Sequence, residues 1–265
     1  MLIAGYKRMK LAAQLYTIHD YTKNEADIER SLHKIKEIGY NAIQISAFGE
    51  YRTPWLADLL KQLELEVCVT HMPYARITGD TERLIEEHRL LVCDNIGLGS
   101  LPKYDRASVL AIFEELAPAI DKIHDAGMKF VFHNHWHEFV PYEEDGKNAF
   151  DLYCERFPAD RAGILMDFYW LAYACQKPME SIDKYRDRLG IVHFKDMTMN
   201  EKGERIFTEI YNGCIDYTAI FHKLVEVGGQ WAAIEEDVCP CGDPFRALAI
   251  SLQNIKAHGL PFENL

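Results

Sequence analysis

Phe130-Val131-Phe132-His133-Asn134-His135 is a hydrophobic run that ends in two histidines. Three later runs have the same form and end in an acid or a histidine: residues 164–167 (ILMD), 191–193 (IVH) and 233–235 (AIE). Short apolar runs of this kind are typical of buried strands. In a (β/α)8 barrel the carboxyl ends of the strands converge on one face, where catalytic groups are placed. The pattern therefore predicts a barrel whose mouth carries a metal-dependent active site.

Strands and helices alternate along the whole chain. Several amphipathic segments are followed by Gly and then by a β-branched run, as at Gly39, Gly127, Gly190 and Gly228. Glycine after a helix provides the left-handed cap from which the next strand can begin. Eight strands are predicted, at residues 10–16, 42–46, 66–71, 98–101, 128–133, 163–167, 191–194 and 231–235. Helices are predicted between them, among them 84–96 and 109–123. Alternating strands and helices imply a parallel sheet. The fold class expected is α/β, a single (β/α)8 TIM barrel spanning residues 1–265 as one domain, with its core at about 9–259.

The bulk composition excludes several classes of partner. The 265 residues include 48% hydrophobic residues, which suits one barrel of about 250 residues. A net charge of −12 argues against nucleic acid, because phosphate binding requires a basic surface. No apolar run approaches the roughly 20 residues of a membrane span, so a membrane partner is not expected. The seven cysteines form no C-x-x-C pair and no secretion signal is evident, which favours reduced thiols in the cytoplasm.

Side chains alternate along a strand, so His133 and His135 share a direction, and Asp167, His193 and Glu235 each end an inward-facing row. Carboxylate oxygens and imidazole nitrogens suit one divalent ion, Mn²⁺, Mg²⁺, Co²⁺ or Zn²⁺. A mixed set of this kind usually leaves open positions for substrate oxygens. The roles of the two histidines stay open between metal ligand, base and hydrogen-bond orienter.

Four short motifs carry a resemblance to a known family. They are residues 133–139 (HNHWHEF), 167–170 (DFYW), 193–196 (HFKD) and 235–237 (EED). In this order at strand ends, they resemble the xylose isomerase-like barrel superfamily, and within it the sugar phosphate isomerase/epimerase branch that includes inosose dehydratases. The resemblance covers about residues 9–259.

The resemblance implies that Asp167, His193 and Glu235 bind a divalent metal. Ketose epimerases of this superfamily usually carry a metal-binding Glu at the end of the fifth strand, where this chain has His133. Either His133 or Glu138 then completes the metal site. The two-carboxylate acid–base scheme of those epimerases does not transfer directly, and this favours isomerisation or dehydration of a keto-sugar or keto-cyclitol.

The function expected is a metal-dependent isomerase or epimerase that removes a proton next to a metal-bound carbonyl of a sugar or keto-sugar. A dehydratase of a keto-sugar or inosose is the first alternative, and a non-catalytic sugar-binding barrel subunit is another. A phosphodiesterase like the endonuclease IV members of the superfamily is disfavoured by the negative charge. The expected catalytic residues are His135, Glu138, Lys195 and Glu235.

The expected partner is a small sugar-like molecule. We expect it to contact His71, which ends the third strand, Trp170 and Lys195, which lies two residues beyond His193. No glycine-rich phosphate loop is evident, which favours a substrate without a phosphate. Dimers and tetramers are common for soluble enzymes, so a homo-oligomer is expected.

Overall fold

Eight parallel strands close into a barrel in the computed structural model, which describes residues 9–265. The barrel strands are β1 (Lys10–Gln14), β2 (Ala42–Ile45), β3 (Glu66–His71), β4 (Asn95–Leu98), β5 (Lys129–His133), β6 (Ala162–Asp167), β7 (Leu189–Phe194) and β10 (Trp231–Ile234). Strands β8 (Asp196–Met199) and β9 (Arg205–Thr208) form a separate antiparallel hairpin. The barrel order is β1-β10-β7-β6-β5-β4-β3-β2, so consecutive barrel strands are neighbours and the predicted (β/α)8 fold is confirmed.

Helices surround the barrel. They are α1 (Glu25–Ile38), α2 (Thr53–Gln62), α3 (Tyr74–Gly79), α4 (Thr81–Leu90), α5 (Arg106–Asp125), α6 (Ala149–Arg156), α7 (Phe168–Tyr173), α8 (Pro178–Lys184), α9 (Tyr217–Val227) and α10 (Pro244–Ala257), with 3-10 helices at Leu15–Tyr21 and His137–Phe139. Helix α1 illustrates why they pack there: Ile28, Leu32 and Ile35 form one buried stripe. Asn24 caps the start of α1 and Gly39 ends it in the left-handed conformation. Among residues 9–265, no helix has both the length and the hydropathy needed to cross a membrane.

The barrel interior is filled by small and aliphatic side chains. They form a cluster separate from the main core between strands and helices: Ala12, Ala42, Cys68, Val69, Val131, Leu165, Ile191 and Ala233. Several of these residues lie two positions before a polar residue of the barrel mouth, as Leu165 does before Asp167. Because strand side chains alternate, each such pair points into the barrel. The interior is therefore apolar directly beneath the polar mouth.

Strand β4 is the strand whose position was predicted wrongly. It occupies Asn95–Leu98, whereas the sequence predicted 98–101, and the predicted helix at 84–96 ends at Leu90. Val92 has a φ of 53°, which no helix continues through. Glycine made this segment look like a loop in the sequence, but the close approach of the neighbouring strand requires glycine here. A Cβ on Gly97 would lie 2.4 Å from the Thr70 carbonyl oxygen.

The β8–β9 hairpin follows β7 directly and was not predicted. Asp196 fixes its base, because this buried carboxylate accepts backbone N–H groups of Met197, Tyr211, Gly213 and Ile215 at 2.8–3.2 Å. Burial raises the pKa of Asp196, and these hydrogen bonds oppose that rise. Asp196 is thus a structural residue of the loop that follows β7.

Candidate metal centre

Four side chains from four successive barrel strands meet at the mouth. His133 of β5, Asp167 of β6, His193 of β7 and Glu235 after β10 are all buried, and one nitrogen or oxygen of each lies within 4.8 Å of the others. Asp167 Oδ2 is 3.5 Å from His133 Nε2 and 3.4 Å from His193 Nδ1, while Glu235 Oε2 is 2.9 Å from His193 Nδ1. None of these four atoms has an aligned hydrogen-bond partner. The chain thus brings together the four residues that the sequence suggested as metal ligands.

The far nitrogens of the two imidazoles are held by acceptors. His133 Nδ1 lies 2.9 Å from the carbonyl oxygen of Gly99, and His193 Nε2 lies 2.8 Å from Gln44 Oε1. A carbonyl oxygen only accepts, so each of these ring nitrogens carries the hydrogen and donates it. The lone pairs of the other two nitrogens then face the centre. This is the arrangement that orients histidine ligands in metal proteins.

Asp167 uses its two oxygens differently. Oδ1 accepts the backbone N–H of Trp170 at 3.0 Å and caps helix α7, which leaves Oδ2 for the centre. Its own backbone is tied to Asn134, whose Oδ1 accepts from Asp167 N at 2.9 Å and whose Nδ2 donates to Asp167 O at 3.2 Å. Asn134 therefore links the ends of β5 and β6 and fixes the spacing between His133 and Asp167.

Lys195 lies against the same carboxylates. Its ammonium is 3.0 Å from Asp167 Oδ2, 2.8 Å from Glu235 Oε2 and 3.0 Å from Asp237 Oδ1, and the residue is 1% exposed. Burial alone would lower the pKa of Lys195, but the three carboxylates outweigh it and raise that pKa well above its usual value. Burial likewise opposes ionisation of Asp167 and Glu235, yet Lys195 and the imidazoles hold both pKa values below their usual range.

The pKa values of the imidazoles around the centre shift in opposite directions. Burial lowers the pKa of His133, takes that of His71 well below its usual value, and brings that of His135 to about 3. These rings are neutral at pH 7. Burial also acts to lower the pKa of His193, but Glu235 and Asp167 outweigh it and raise that pKa.

One cavity of about 940 Å³ opens onto the centre. Its lining includes His71, His133, His135, Lys195 and Glu235, all of which the sequence assigned to the site. The ring of His71 lies 5.0 Å from that of His133, so His71 stands beside the four converging side chains. Two of the four predicted metal ligands, His133 and Glu235, therefore line one cavity together with His71, His135 and Lys195.

Glu138 and Trp170 lie behind the cavity lining. Glu138 is fully buried, and its Oε2 accepts the backbone N–H of His135 at 2.8 Å. Burial raises the pKa of Glu138 to about 7. The Trp170 ring lies 5.5 Å from Lys195 Nζ and 5.4 Å from the His135 ring. Both residues support side chains of the site, and their direct roles with substrate stay predictions.

Asp237 also lines the cavity and was missed as a site residue. It lies two positions beyond Glu235, so the alternation that placed Lys195 after His193 could have found it. Burial raises the pKa of Asp237 to about 6, against the opposing effect of Lys195.

The donor set fits a divalent ion. Two imidazole nitrogens and two carboxylate oxygens are the mixed ligands that Mn²⁺, Co²⁺ and Zn²⁺ accept, and Mg²⁺ uses the carboxylates. Buried polar atoms without partners are rare in folded proteins and require an explanation. The four atoms at the centre accept no aligned hydrogen bond from the described residues, and Lys195 is the ion-pair partner of the two carboxylate oxygens among them, so together they define a candidate four-residue metal site.

The chain belongs to the xylose isomerase-like TIM barrel family, whose model matches residues 32–256. It is 24% identical over 257 residues to an inosose dehydratase of Geobacillus kaustophilus, with 80% of each chain covered. Among solved structures it is similar to a sugar phosphate isomerase/epimerase from Parabacteroides distasonis, with a TM-score of 0.80, 18% identity and 98% of each chain covered. It is also similar to an L-ribulose 3-epimerase, with a TM-score of 0.71, 14% identity and coverage of 95% of this chain and 94% of that one. These structural likenesses support the fold.

Proposed function

We propose that this protein is a divalent-metal-dependent enzyme that removes a proton next to the carbonyl of a sugar-like substrate. The observation that carries the proposal is the convergence of four buried ligand atoms from His133, Asp167, His193 and Glu235, which lie within 4.8 Å of one another. Names of the related proteins, an inosose dehydratase and sugar epimerases, support the same class of substrate. A divalent ion held by these residues supplies a Lewis acid for the carbonyl.

His135 is the residue we assign to proton removal. Its ring lines the cavity, and burial keeps it neutral at pH 7, so it has a free lone pair. Glu138 fixes the His135 backbone, and the Trp170 ring packs near the imidazole. A general base must lie within hydrogen-bond reach of the proton that it takes and works best with a pKa near the working pH, so this assignment requires that bound substrate raise the pKa of His135 from about 3. Glu138 is then a positioning residue.

Lys195 is the proton donor of the site. Its three carboxylate neighbours keep it protonated, and it lines the same cavity as His135. It can donate a hydrogen bond to a substrate oxygen that gains negative charge. It can also give its proton to a departing hydroxyl group.

The combination of His135 as base and Lys195 as proton donor favours dehydration over epimerisation. Epimerases of the superfamily are expected to use one carboxylate on each face of the substrate carbon, and His133 stands where the second carboxylate would be. In a dehydration, the C–H bond breaks and its proton goes to His135. The new double bond forms as the C–O bond breaks, and the hydroxide leaves as water with the proton of Lys195. Isomerisation of a keto-sugar is the second candidate, because it shares the first proton transfer.

The test is proton nuclear magnetic resonance in D₂O with keto-inositols and keto-sugars and added Mn²⁺, Mg²⁺, Co²⁺ or Zn²⁺ in separate samples. Loss of the α-proton signal with appearance of a vinyl signal supports dehydration, and deuterium incorporation without a vinyl signal supports isomerisation or epimerisation. Asp167→Asn is expected to abolish both, while Asp187→Asn, whose carboxylate is 61% exposed, serves as the control. The proposal fails if Asp167→Asn retains wild-type exchange, or if elemental analysis finds equal metal in wild type and Asp167→Asn/Glu235→Gln.

A further inference from the structure

The cavity at the barrel mouth extends well beyond the candidate metal centre. Besides the centre, it is lined by residues 45–54 at and after the end of β2, and by residues after β3 and on α4: Met72, Pro73, Tyr74, Arg76, Arg83, Glu86, Glu87 and Leu90. Its volume of about 940 Å³ lies at the upper end of the roughly 300–1,000 Å³ that hold drug-sized ligands. A single sugar ring at the centre would leave most of this space to another group.

The outer part of the cavity presents aromatic rings. Phe48, Tyr51 and Tyr74 line it and are each partly buried. The rings of Phe48 and Tyr51 pack edge to face with centroids 5.9 Å apart, and Tyr74 donates its hydroxyl hydrogen to Glu115. Aromatic faces of this kind bind other rings through stacking and buried area.

The segment that carries Phe48 is held rigidly. Ala47 adopts a φ of 55°, a conformation that side chains other than glycine rarely take and that only a constrained surrounding maintains. Gly49 N donates to the Thr22 carbonyl oxygen at 2.7 Å, and a Cβ on Gly49 would lie 1.9 Å from the carbonyl oxygen of Lys23. The chain after β2 therefore packs closely against residues 22–23, which constrains the backbone that carries Phe48.

The cations around this part of the cavity are already paired. Arg52 makes a two-point contact with Glu25 at 3.0 Å, while Arg76 and Arg83 both contact Glu87, at 2.9 and 3.1 Å. Asp80 lies 3.8 Å from Arg76 and adds a second carboxylate to this group. Glu50 and Glu86 also line the cavity. A phosphate ester would have to break these pairs and approach additional carboxylates.

Resting on the proposed function, we propose that the substrate is an uncharged sugar derivative with a second ring, which binds over Phe48, Tyr51 and Tyr74 while the sugar ring lies at the centre. A glycoside that carries a ketone on its sugar ring and has an aromatic or sugar substituent has this chemistry. A sugar phosphate does not fit the outer cavity, because the arginines there are already paired with carboxylates.

The test is isothermal titration calorimetry with phenyl and methyl β-D-glucopyranosides, the corresponding galactosides, and glucose 6-phosphate, each with and without Mn²⁺. We expect a phenyl glycoside to bind roughly tenfold more tightly than its methyl counterpart, and glucose 6-phosphate to bind more weakly than the phenyl glycoside. Tyr51→Ala and Phe48→Leu should remove the preference for phenyl, because they weaken phenyl glycoside binding more than methyl glycoside binding. Tyr51→Phe keeps the ring and should keep the preference, as should Tyr21→Ala, whose ring lies outside the cavity.

Equal affinity for phenyl and methyl glycosides overturns the proposal. So does tighter binding of glucose 6-phosphate, or the absence of measurable phenyl glycoside binding at millimolar concentration. Circular dichroism and thermal melts establish whether the Tyr51→Ala and Phe48→Leu variants are folded, and the comparison of phenyl and methyl glycosides on the wild-type protein tests the proposal whichever of them is not. This experiment measures glycoside binding alone. The aromatic preference can therefore be found even if metal binding and proton exchange are absent, and it can be absent even if both of them are found.

Discussion

Replacing Lys195 with Met removes the ammonium that contacts three carboxylates and keeps a side chain of similar length. Lys195 is 1% exposed, and its contacts with Asp167, Glu235 and Asp237 are 2.8–3.0 Å. Removing one partner of a buried ionic group leaves the others uncompensated and costs about 3–5 kcal/mol. For a chain of this size the melting temperature in EDTA should fall by roughly 6–20 °C, since 1 kcal/mol corresponds to about 2–4 °C.

A divalent ion should repair much of this defect. A cation held by Asp167 and Glu235 restores positive charge beside the same oxygens, so excess Mn²⁺ should raise the melting temperature of Lys195→Met more than that of wild type. At a concentration 100 times the dissociation constant, binding stabilises the folded state by about 2.7 kcal/mol. The assay is thermal unfolding by circular dichroism with EDTA or with Mn²⁺.

Lowering the pH should also reduce the loss of stability in Lys195→Met. In wild type, Lys195 helps hold the pKa values of Asp167 and Glu235 below their usual range, so their contribution to stability is present above the unfolded pKa of about 4. Without Lys195, burial is left to raise both pKa values, and the variant loses stability as pH rises through them. The difference between variant and wild type should therefore be larger at pH 8 than at pH 5.

The matched control is Lys184→Met. Lys184 pairs with Asp151 at 2.8 Å, but its side chain is 55% exposed, so the loss should be at most about 1 kcal/mol. The reasoning is refuted if Lys195→Met and wild type have the same melting temperature in EDTA, or if Mn²⁺ raises both melting temperatures by the same amount.

Three further predictions concern residues around the site. Gln44→Leu removes the acceptor of His193 and should weaken metal binding about 10–100-fold in a chelator competition, whereas Gln44→Glu keeps an acceptor and should retain most of the affinity. Glu138 has its pKa raised to about 7, so the folded state binds the extra proton and stability falls as pH rises from about 4.5 to 7. Glu138→Gln should remove that fall, on the order of 3 kcal/mol between urea titrations at pH 4.5 and pH 8; an unchanged slope would contradict it. Asp196→Ala deprives four backbone N–H groups of their acceptor and should cost about 3 kcal/mol or more, with faster hydrogen exchange in β8–β9 as the specific readout.

The strand-end pattern was sufficient to predict the barrel and most of the candidate site. A hydrophobic run with a polar residue at its carboxyl end specifies both a buried strand and the direction of its last side chain. This is why His133, Asp167 and His193 were found without a structure. Strand β4 escaped the same rule because its inward positions are glycines. Its polar contribution is the carbonyl oxygen of Gly99, which no side-chain pattern reveals.

Other features depend on contacts between distant segments. The β8–β9 hairpin is short and polar, and its base depends on the carboxylate of Asp196, which reaches backbone groups as far along the chain as residue 215. Lys195 and Asp196 are neighbours in the sequence, yet they are 1% and 0% exposed and contact different partners. Glu138 of the HNHWHEF motif was expected near the substrate. Its contact with His135 N depends on the turn at residues 135–138, which the sequence alone did not reveal.

The apolar barrel interior and the charged mouth are consequences of the same alternation. Each strand that ends in a charged or imidazole group carries an aliphatic or small residue two positions earlier, so the medium beneath the centre is one of low polarity. Isolated charges are costly in such a medium, and Asp167 and Glu235 need cations close by. Lys195 is one such cation, and Asp167 Oδ2, Glu235 Oε2 and the two imidazole nitrogens lie close enough together to hold a second. The ammonium and the proposed metal ion therefore act on the same oxygens, which makes the charge of Lys195 a determinant of how tightly the centre holds its metal.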